Sequence, residues 1–86
     1  MSNRFDDLKI LNALSDQLCE DHYNKLMSDR EFMDKMDDVR IKMQEALLGK
    51  LNNLDYFANN LGYAIIKINN PTLFSCKGIN FKIEKN

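Results

Sequence analysis

The amino-acid sequence predicts an α+β fold: a long N-terminal helical hairpin followed by a small antiparallel β-hairpin or three-stranded meander. Apolar residues recur every three or four positions from residue 3 to residue 61, which is the spacing of amphipathic helices. After Gly62 the pattern changes to short segments rich in β-branched and aromatic residues, which are typical of strands. Strands that follow helices, rather than alternate with them, favour α+β over α/β.

The first helix is predicted over residues 3–27. Asn3 is a suitable N-cap, and Asp6 and Asp7 fall in the first turn, where the helix dipole favours carboxylates. One stripe of side chains, spaced by three and four residues, is expected to face the core: Phe5, Leu8, Leu11, Leu14, Leu18, His22 and Leu26.

The second helix is predicted over residues 29–61. Ser28 and Glu31 form an S-x-x-E capping box, which marks a helix start after a very short link. Gly62 is a natural residue to end this helix in left-handed geometry. The expected core stripe consists of Phe32, Met36, Val39, Met43, Leu47, Leu51, Leu54, Ala58 and Leu61.

The length of this second helix is the main inconsistency in the prediction. An unbroken helix over residues 29–61 measures roughly 50 Å, whereas a compact domain of this size has a radius of gyration of about 12 Å. Either the helix breaks near Gly49, since glycine is a poor helix former, or the molecule is elongated and buries its surplus apolar stripe against a partner.

Residues 63–84 are predicted to form the antiparallel strands. Residues 63–68 form the first strand, residues 69–72 a turn, residues 73–76 a second short strand, and the last strand alternates over residues 79–84. Because an isolated hairpin is marginal in water, we expect its apolar face to pack on the helices, mainly on the second half of helix two. That face carries Ile79, Phe81 and Ile83.

Composition excludes several classes of protein. The chain has 86 residues, which we treat as one domain over residues 1–86, and its 44% hydrophobic and 29% charged residues match an ordinary folded chain rather than a disordered one. No apolar run approaches the roughly 20 residues of a membrane span, and the polar N-terminus lacks the features of a signal peptide. We therefore predict a cytoplasmic protein in which Cys19 and Cys76 are free thiols.

One cluster of residues suggests chemistry, and it is incomplete. Cys19 and His22 stand three residues apart on a helix and, with Cys76, offer three soft ligands for zinc. A fourth ligand and a C-x-x-C spacing are both missing, and no glycine-rich loop accompanies a thiol nucleophile. We therefore predict no metal, no cofactor, no catalytic residue and no enzymatic activity.

Charge is unevenly divided along the chain. Residues 1–48 carry a net charge of −4, whereas residues 49–86 carry +3. The mildly basic sheet suggests one hypothesis, weak nucleic-acid binding. We expect such binding to be non-specific, because all the basic residues of the sheet are lysines and specific base recognition depends on arginine. This hypothesis rests on Lys50, Lys67, Lys77, Lys82 and Lys85.

The other hypothesis is a small protein-binding module, such as an inhibitor, adaptor or regulator of the kind that mobile elements encode. Four methionines fall between residues 27 and 43, and methionine is common on surfaces that accept partners. Homodimerisation through the helices is the simplest way to bury a surplus apolar stripe. The predicted partner-binding residues are Phe32, Met33, Met36, Val39, Arg40 and Met43.

Overall fold

The fold is α+β, with an N-terminal helical hairpin followed by a two-stranded antiparallel sheet. The computed structural model describes residues 4–68 and 81–86, apart from the Arg4 side chain. The elements in chain order are α1 (Arg4–Tyr23), α2 (Asp29–Leu47), α3 (Leu54–Leu61), β1 (Tyr63–Lys67) and β2 (Phe81–Lys85).

The first helix is shorter than predicted, because α1 ends at Tyr23 rather than at residue 27. The Lys25 amide bonds the His22 carbonyl and the Leu26 amide bonds the Asp21 carbonyl, which is the hydrogen-bond pattern of a Schellman cap. Lys25 adopts a left-handed conformation, with φ of 62°, to make this turn. Leu26 is consequently exposed and not on the core stripe.

Phe5, at the other end of the predicted stripe, is also exposed. The buried apolar side chains of α1 belong to its central part, between the exposed Phe5 and the C-terminal turn. They are Ile10, Leu11, Leu14 and Leu18. The predicted cap at Asn3 lies outside the described residues.

The second predicted helix is two helices. α2 begins after Ser28, whose hydroxyl accepts a hydrogen bond from the Glu31 amide at 3.1 Å, so the serine half of the capping box is confirmed. α2 ends in a second Schellman cap, in which Gly49 has φ of +72° and the Lys50 amide bonds the Glu45 carbonyl at 2.8 Å. A continuous helix over residues 29–61 is therefore not formed.

α3 is short and is held at its C-terminal end. Gly62 follows its last residue with φ of +99°, the left-handed conformation predicted for this glycine. Lys35 of α2 donates a hydrogen bond of 2.9 Å from its ammonium group to the Leu61 carbonyl, and the same ammonium lies 3.0 Å from a Glu31 carboxylate oxygen. This contact ties α2 to the end of α3.

The two strands pair antiparallel, with Ile65 opposite Ile83 at the centre. Alternation confirms the predicted faces: Phe81 and Ile83 pack with Ile65 against the core, while Lys82 and Glu84 lie on the other face. β1 lies against α3, as expected, and β2 lies against α1. The predicted strand over residues 73–76 and the turn over residues 69–72 lie outside the described residues.

The core lies where α1, α2, α3 and the inner face of the sheet meet. Its largest fully buried side chain belongs to Tyr63, which is part of the same buried cluster as Leu11, Leu14, Leu18 and Val39. The radius of gyration is 13.3 Å and the longest dimension is 40 Å. The break between α2 and α3 thus removes the conflict between a helix of roughly 50 Å and a compact domain.

Candidate protein-binding surface

The six residues predicted to bind a partner divide between the core and the surface of α2. Val39 is only 1% exposed, so it cannot contact a partner while the protein stays folded, and it leaves the candidate surface. Met33 is 63% exposed, and the Arg40 side chain is 72% exposed. The remaining three are half-buried and pack against the core: Phe32, Met36 and Met43.

Two of the half-buried residues hold α2 against α1. The Phe32 ring stacks on the His22 ring, with centroids 4.2 Å apart and planes within 6° of parallel. The Met36 sulfur accepts a hydrogen bond from the Ser15 hydroxyl at 3.8 Å. Phe32 therefore stabilises the packing of α2 on α1. Met36 also contacts α1, but the rest of its side chain remains partly exposed.

The exposed and half-buried residues form one continuous strip along α2. Steps of three, four, three and four residues place side chains on one line of a helix, as in the a and d positions of a coiled coil. We call these residues the α2 strip: Met33, Met36, Arg40, Met43 and Leu47.

Leu47 was not among the predicted binding residues, although it is 55% exposed. A helix continuous to residue 61 predicts a core position for Leu47, because further turns would follow it along the same stripe. Since α2 ends at Leu47, no later helical turn covers this side chain. The signal that could have found it is the seven-residue spacing from Met33 through Arg40 to Leu47.

The centre of the α2 strip carries an opposite-charge pair. A guanidinium nitrogen of Arg40 lies 3.7 Å from an Asp37 carboxylate oxygen, and both side chains are well exposed. An exposed pair of this kind contributes between 0 and about 1 kcal/mol to stability. Both groups are therefore available for partners outside the chain at little cost to the fold.

Ile41 is exposed on a different side of α2. It is 53% exposed, similar to Leu47, but it follows Arg40 by one residue and so points about 100° away around the helix. Ile41 is therefore a matched position for comparison, since it has similar exposure and apolar character but lies off the α2 strip.

The predicted nucleic-acid-binding lysines do not share one face of the sheet. In the strand register Lys67 and Lys85 lie on the side of Tyr63, whereas Lys82 lies on the opposite side. Lys82 is 2.9 Å from Glu84, and Lys85 is 3.8 Å from Asp21, so both positive charges are partly neutralised. Lys50 is exposed in the segment between α2 and α3, outside the strands, and Lys77 lies outside the described residues.

A buried polar cluster that the sequence analysis missed joins α1 to the sheet. Asp21, a buried carboxylate, accepts hydrogen bonds from the Tyr63 hydroxyl and from the Gln17 amide group. Burial, followed by the hydrogen bond to Asp21, raises the pKa of Tyr63 well above its ordinary value. The position of Asp21 in the sequence could have indicated its burial. Asp21 continues the helical spacing of Leu14 and Leu18, so it occupies a position where an apolar residue is expected.

The residues considered for zinc are not gathered into a site. The His22 ring nitrogen lies 2.6 Å from an Asp29 carboxylate oxygen, and Cys19 is an exposed free thiol. Within residues 4–68 and 81–86, no three His, Cys, Asp or Glu side chains lie close enough together to hold a metal ion. Cys76 is outside these ranges.

A groove of about 450 Å³ lies between α1 and β2. Small-molecule sites are mostly apolar with a few convergent polar groups. Here charged side chains of both signs line the groove, and its apolar part is limited to one alanine and two residues of β2. The lining residues are Lys9, Ala13, Asp16, Gln17, Glu20, Phe81, Lys82 and Ile83.

Comparisons with family models, with curated proteins and with solved structures find no match to this chain. In the described part of the chain, no helix has both the length and the apolar character needed to cross a bilayer. On the surface of α2, the strip combines the exposed Met33 and Leu47 with the half-buried Met36 and Met43 around the exposed Arg40.

Proposed function

We propose that this protein is a small non-catalytic protein-binding module, an inhibitor, adaptor or regulator, that acts through the α2 strip. The observation that carries the proposal is the exposure of Met33, Arg40 and Leu47 at seven-residue intervals along α2. Contiguous apolar patches rimmed by polar residues mark interaction surfaces. In the α2 strip the apolar members are the exposed Met33 and Leu47 and the half-buried Met36 and Met43.

The spacing of the α2 strip favours a helical partner. Side chains three and four residues apart form a row of knobs that fits the holes of a facing helix. Methionine supports this proposal because its flexible, polarisable side chain adapts to partners of different shape. Arg40 supports it as well, since arginine is enriched at the energetic centres of protein interfaces.

A cytoplasmic location is part of the same proposal. Cys19 is an exposed free thiol, and thiols of this kind persist where glutathione and thioredoxin keep them reduced. The partner is thus a cytoplasmic protein that presents an amphipathic helix or the groove that accepts one.

Substitution of Met33 by aspartate tests the proposal. Tagged wild-type protein, Met33→Asp and Ile41→Asp are used to capture partners from the native host lysate after nuclease treatment. We expect at least about a tenfold loss of the captured partner for Met33→Asp, because a charge buried at an interface without a counter-charge costs well over 1.4 kcal/mol. Ile41→Asp, at a similarly exposed position off the strip, is expected to capture as wild type does.

Circular dichroism on both variants provides the control for folding. Met36→Asp is unsuitable here because Met36 packs on α1 and its substitution disturbs the hairpin. Equal capture by wild type and Met33→Asp contradicts the proposal.

Nucleic-acid binding through the lysines is the alternative function, and the division of Lys67 and Lys82 between opposite faces of the sheet does not favour it. It predicts that captured material disappears on nuclease treatment and that binding falls steeply as salt is raised.

A further inference from the structure

The charges beside the α2 strip match a second copy of the strip itself. A two-fold symmetric interface must be self-complementary, because the same patch is used by both subunits. Asp37 and Arg40 meet this requirement: they have opposite charges, lie one turn apart and are both well exposed. A second α2 running in the opposite direction places Asp37 against Arg40 twice.

The direction of the second helix follows from the same two residues. A parallel copy in register places Arg40 against Arg40 at the centre of the interface, and like charges in contact strongly oppose association. An antiparallel copy replaces this repulsion by two Asp37–Arg40 pairs related by the two-fold axis. It also places Met33 alongside Met43 of the second copy, to within one residue of register.

Two other features of the chain suit this arrangement. In the same register Leu47 meets the aliphatic part of Arg30, an exposed residue near the start of α2, and long basic side chains cover apolar surface in this way. The whole chain has a net charge of only −1, so two copies repel each other weakly at long range.

We propose that the α2 strip binds the α2 strip of a second copy, giving an antiparallel, two-fold symmetric homodimer with its axis between residues 38 and 39. This inference rests on the proposed function, since it names a partner for the same surface. The homodimer brings together two Asp37 and two Arg40 side chains as a neutral group of four charges, flanked on both sides by methionine.

Complementary charge reversals provide the test. Sedimentation velocity over a wide range of concentration is recorded for wild type, Arg40→Glu, Asp37→Arg and an equimolar mixture of the two variants. We expect wild type to be dimeric and each variant alone to associate at least about tenfold more weakly, because every central charge then has the same sign. The mixture is expected to regain dimers, since the acidic and basic copies complement each other at both pairs.

Lys9→Glu is the control, because it makes the same change in charge as Arg40→Glu but on the exposed surface of α1. It is expected to dimerise as wild type does. Monomeric wild type at every concentration overturns the homodimer, as does a wild-type dimer that both charge reversals leave intact or a mixture that fails to associate. None of these results bears on capture of another protein by Met33→Asp and Ile41→Asp, so failure of the homodimer and failure of the proposed function are distinguishable.

Discussion

At the scale of single residues, Lys25 adopts a backbone conformation that is unfavourable for a residue with a side chain. Its φ of 62° lies in the left-handed region, which costs an ordinary L-residue roughly 1–2 kcal/mol. The two hydrogen bonds of the cap at the end of α1 hold it there, because they satisfy the carbonyls of Asp21 and His22. Most caps of this type use glycine, and the absence of glycine explains why the sequence predicted α1 to continue to residue 27.

Replacement of Lys25 by glycine is therefore expected to stabilise the protein. Removing the left-handed strain outweighs the extra entropy of glycine in the unfolded chain, so the free energy of unfolding is expected to rise by about 0.5–1 kcal/mol. Urea denaturation at constant m-value measures it. Lys25→Ala removes the same charge but retains the left-handed strain, so comparing it with Lys25→Gly separates the effect of the charge from the effect of the backbone conformation. A lower stability for Lys25→Gly than for Lys25→Ala contradicts this account of the cap.

At the scale of elements, the sequence predicted those starts and stops that have a local chemical signal. Ser28 marks the start of α2 and Gly62 the end of α3, and both lie where they were expected. The break at Gly49 was one of two alternatives, because local periodicity continues on both sides of it. Leu47 was assigned to the core for the same reason, and the α2 strip was therefore only partly predicted.

Substitutions of Gly49 test how much the glycine at the end of α2 contributes to stability. A Cβ at this position meets no atom within 4 Å, so Gly49→Ala acts through the backbone alone. Gly49→Ala is expected to lower the free energy of unfolding by about 1 kcal/mol because φ is +72°. Gly49→Asn is expected to cost less, since asparagine tolerates left-handed geometry. Equal losses for both, measured by thermal denaturation, would show that something other than φ determines stability here.

At the scale of the whole molecule, the Asp21–Tyr63 hydrogen bond joins residues 42 positions apart and fixes the sheet on α1. Such a pairing cannot be read from periodicity, because it depends on which elements meet in space. The sequence did predict that the apolar face of the strands packs on helices, but it placed that contact mainly on the second half of helix two. It did not predict that β2 lies against α1.

This pairing predicts loss of stability at alkaline pH. Below pH 10, the ordinary pKa of tyrosine, Tyr63 is protonated in both states. Above it, the unfolded chain loses this proton while the folded protein, whose Tyr63 pKa is raised, retains it. The free energy of unfolding therefore falls with rising pH by up to about 1.4 kcal/mol per pH unit from this group.

Urea denaturation between neutral pH and pH 11 measures that slope. In Tyr63→Phe the contribution is absent, so the variant is expected to be less stable at neutral pH, by about 1–3 kcal/mol, but to lose less stability on raising the pH. Tyr23→Phe, at an exposed tyrosine, is the matched control. Parallel pH profiles for wild type and Tyr63→Phe contradict the assignment.

The hydrogen bond from Lys35 to the Leu61 carbonyl affects how α3 can unfold locally. An eight-residue helix does not persist alone in water, and α3 has its terminal carbonyl satisfied by a side chain of α2. Unravelling α3 alone would leave the largely covered Lys35 ammonium without that acceptor. Local unfolding of α3 therefore breaks this hydrogen bond to α2 as well as the packing of α3 on β1, so opening of this short helix is expected to disturb both neighbours.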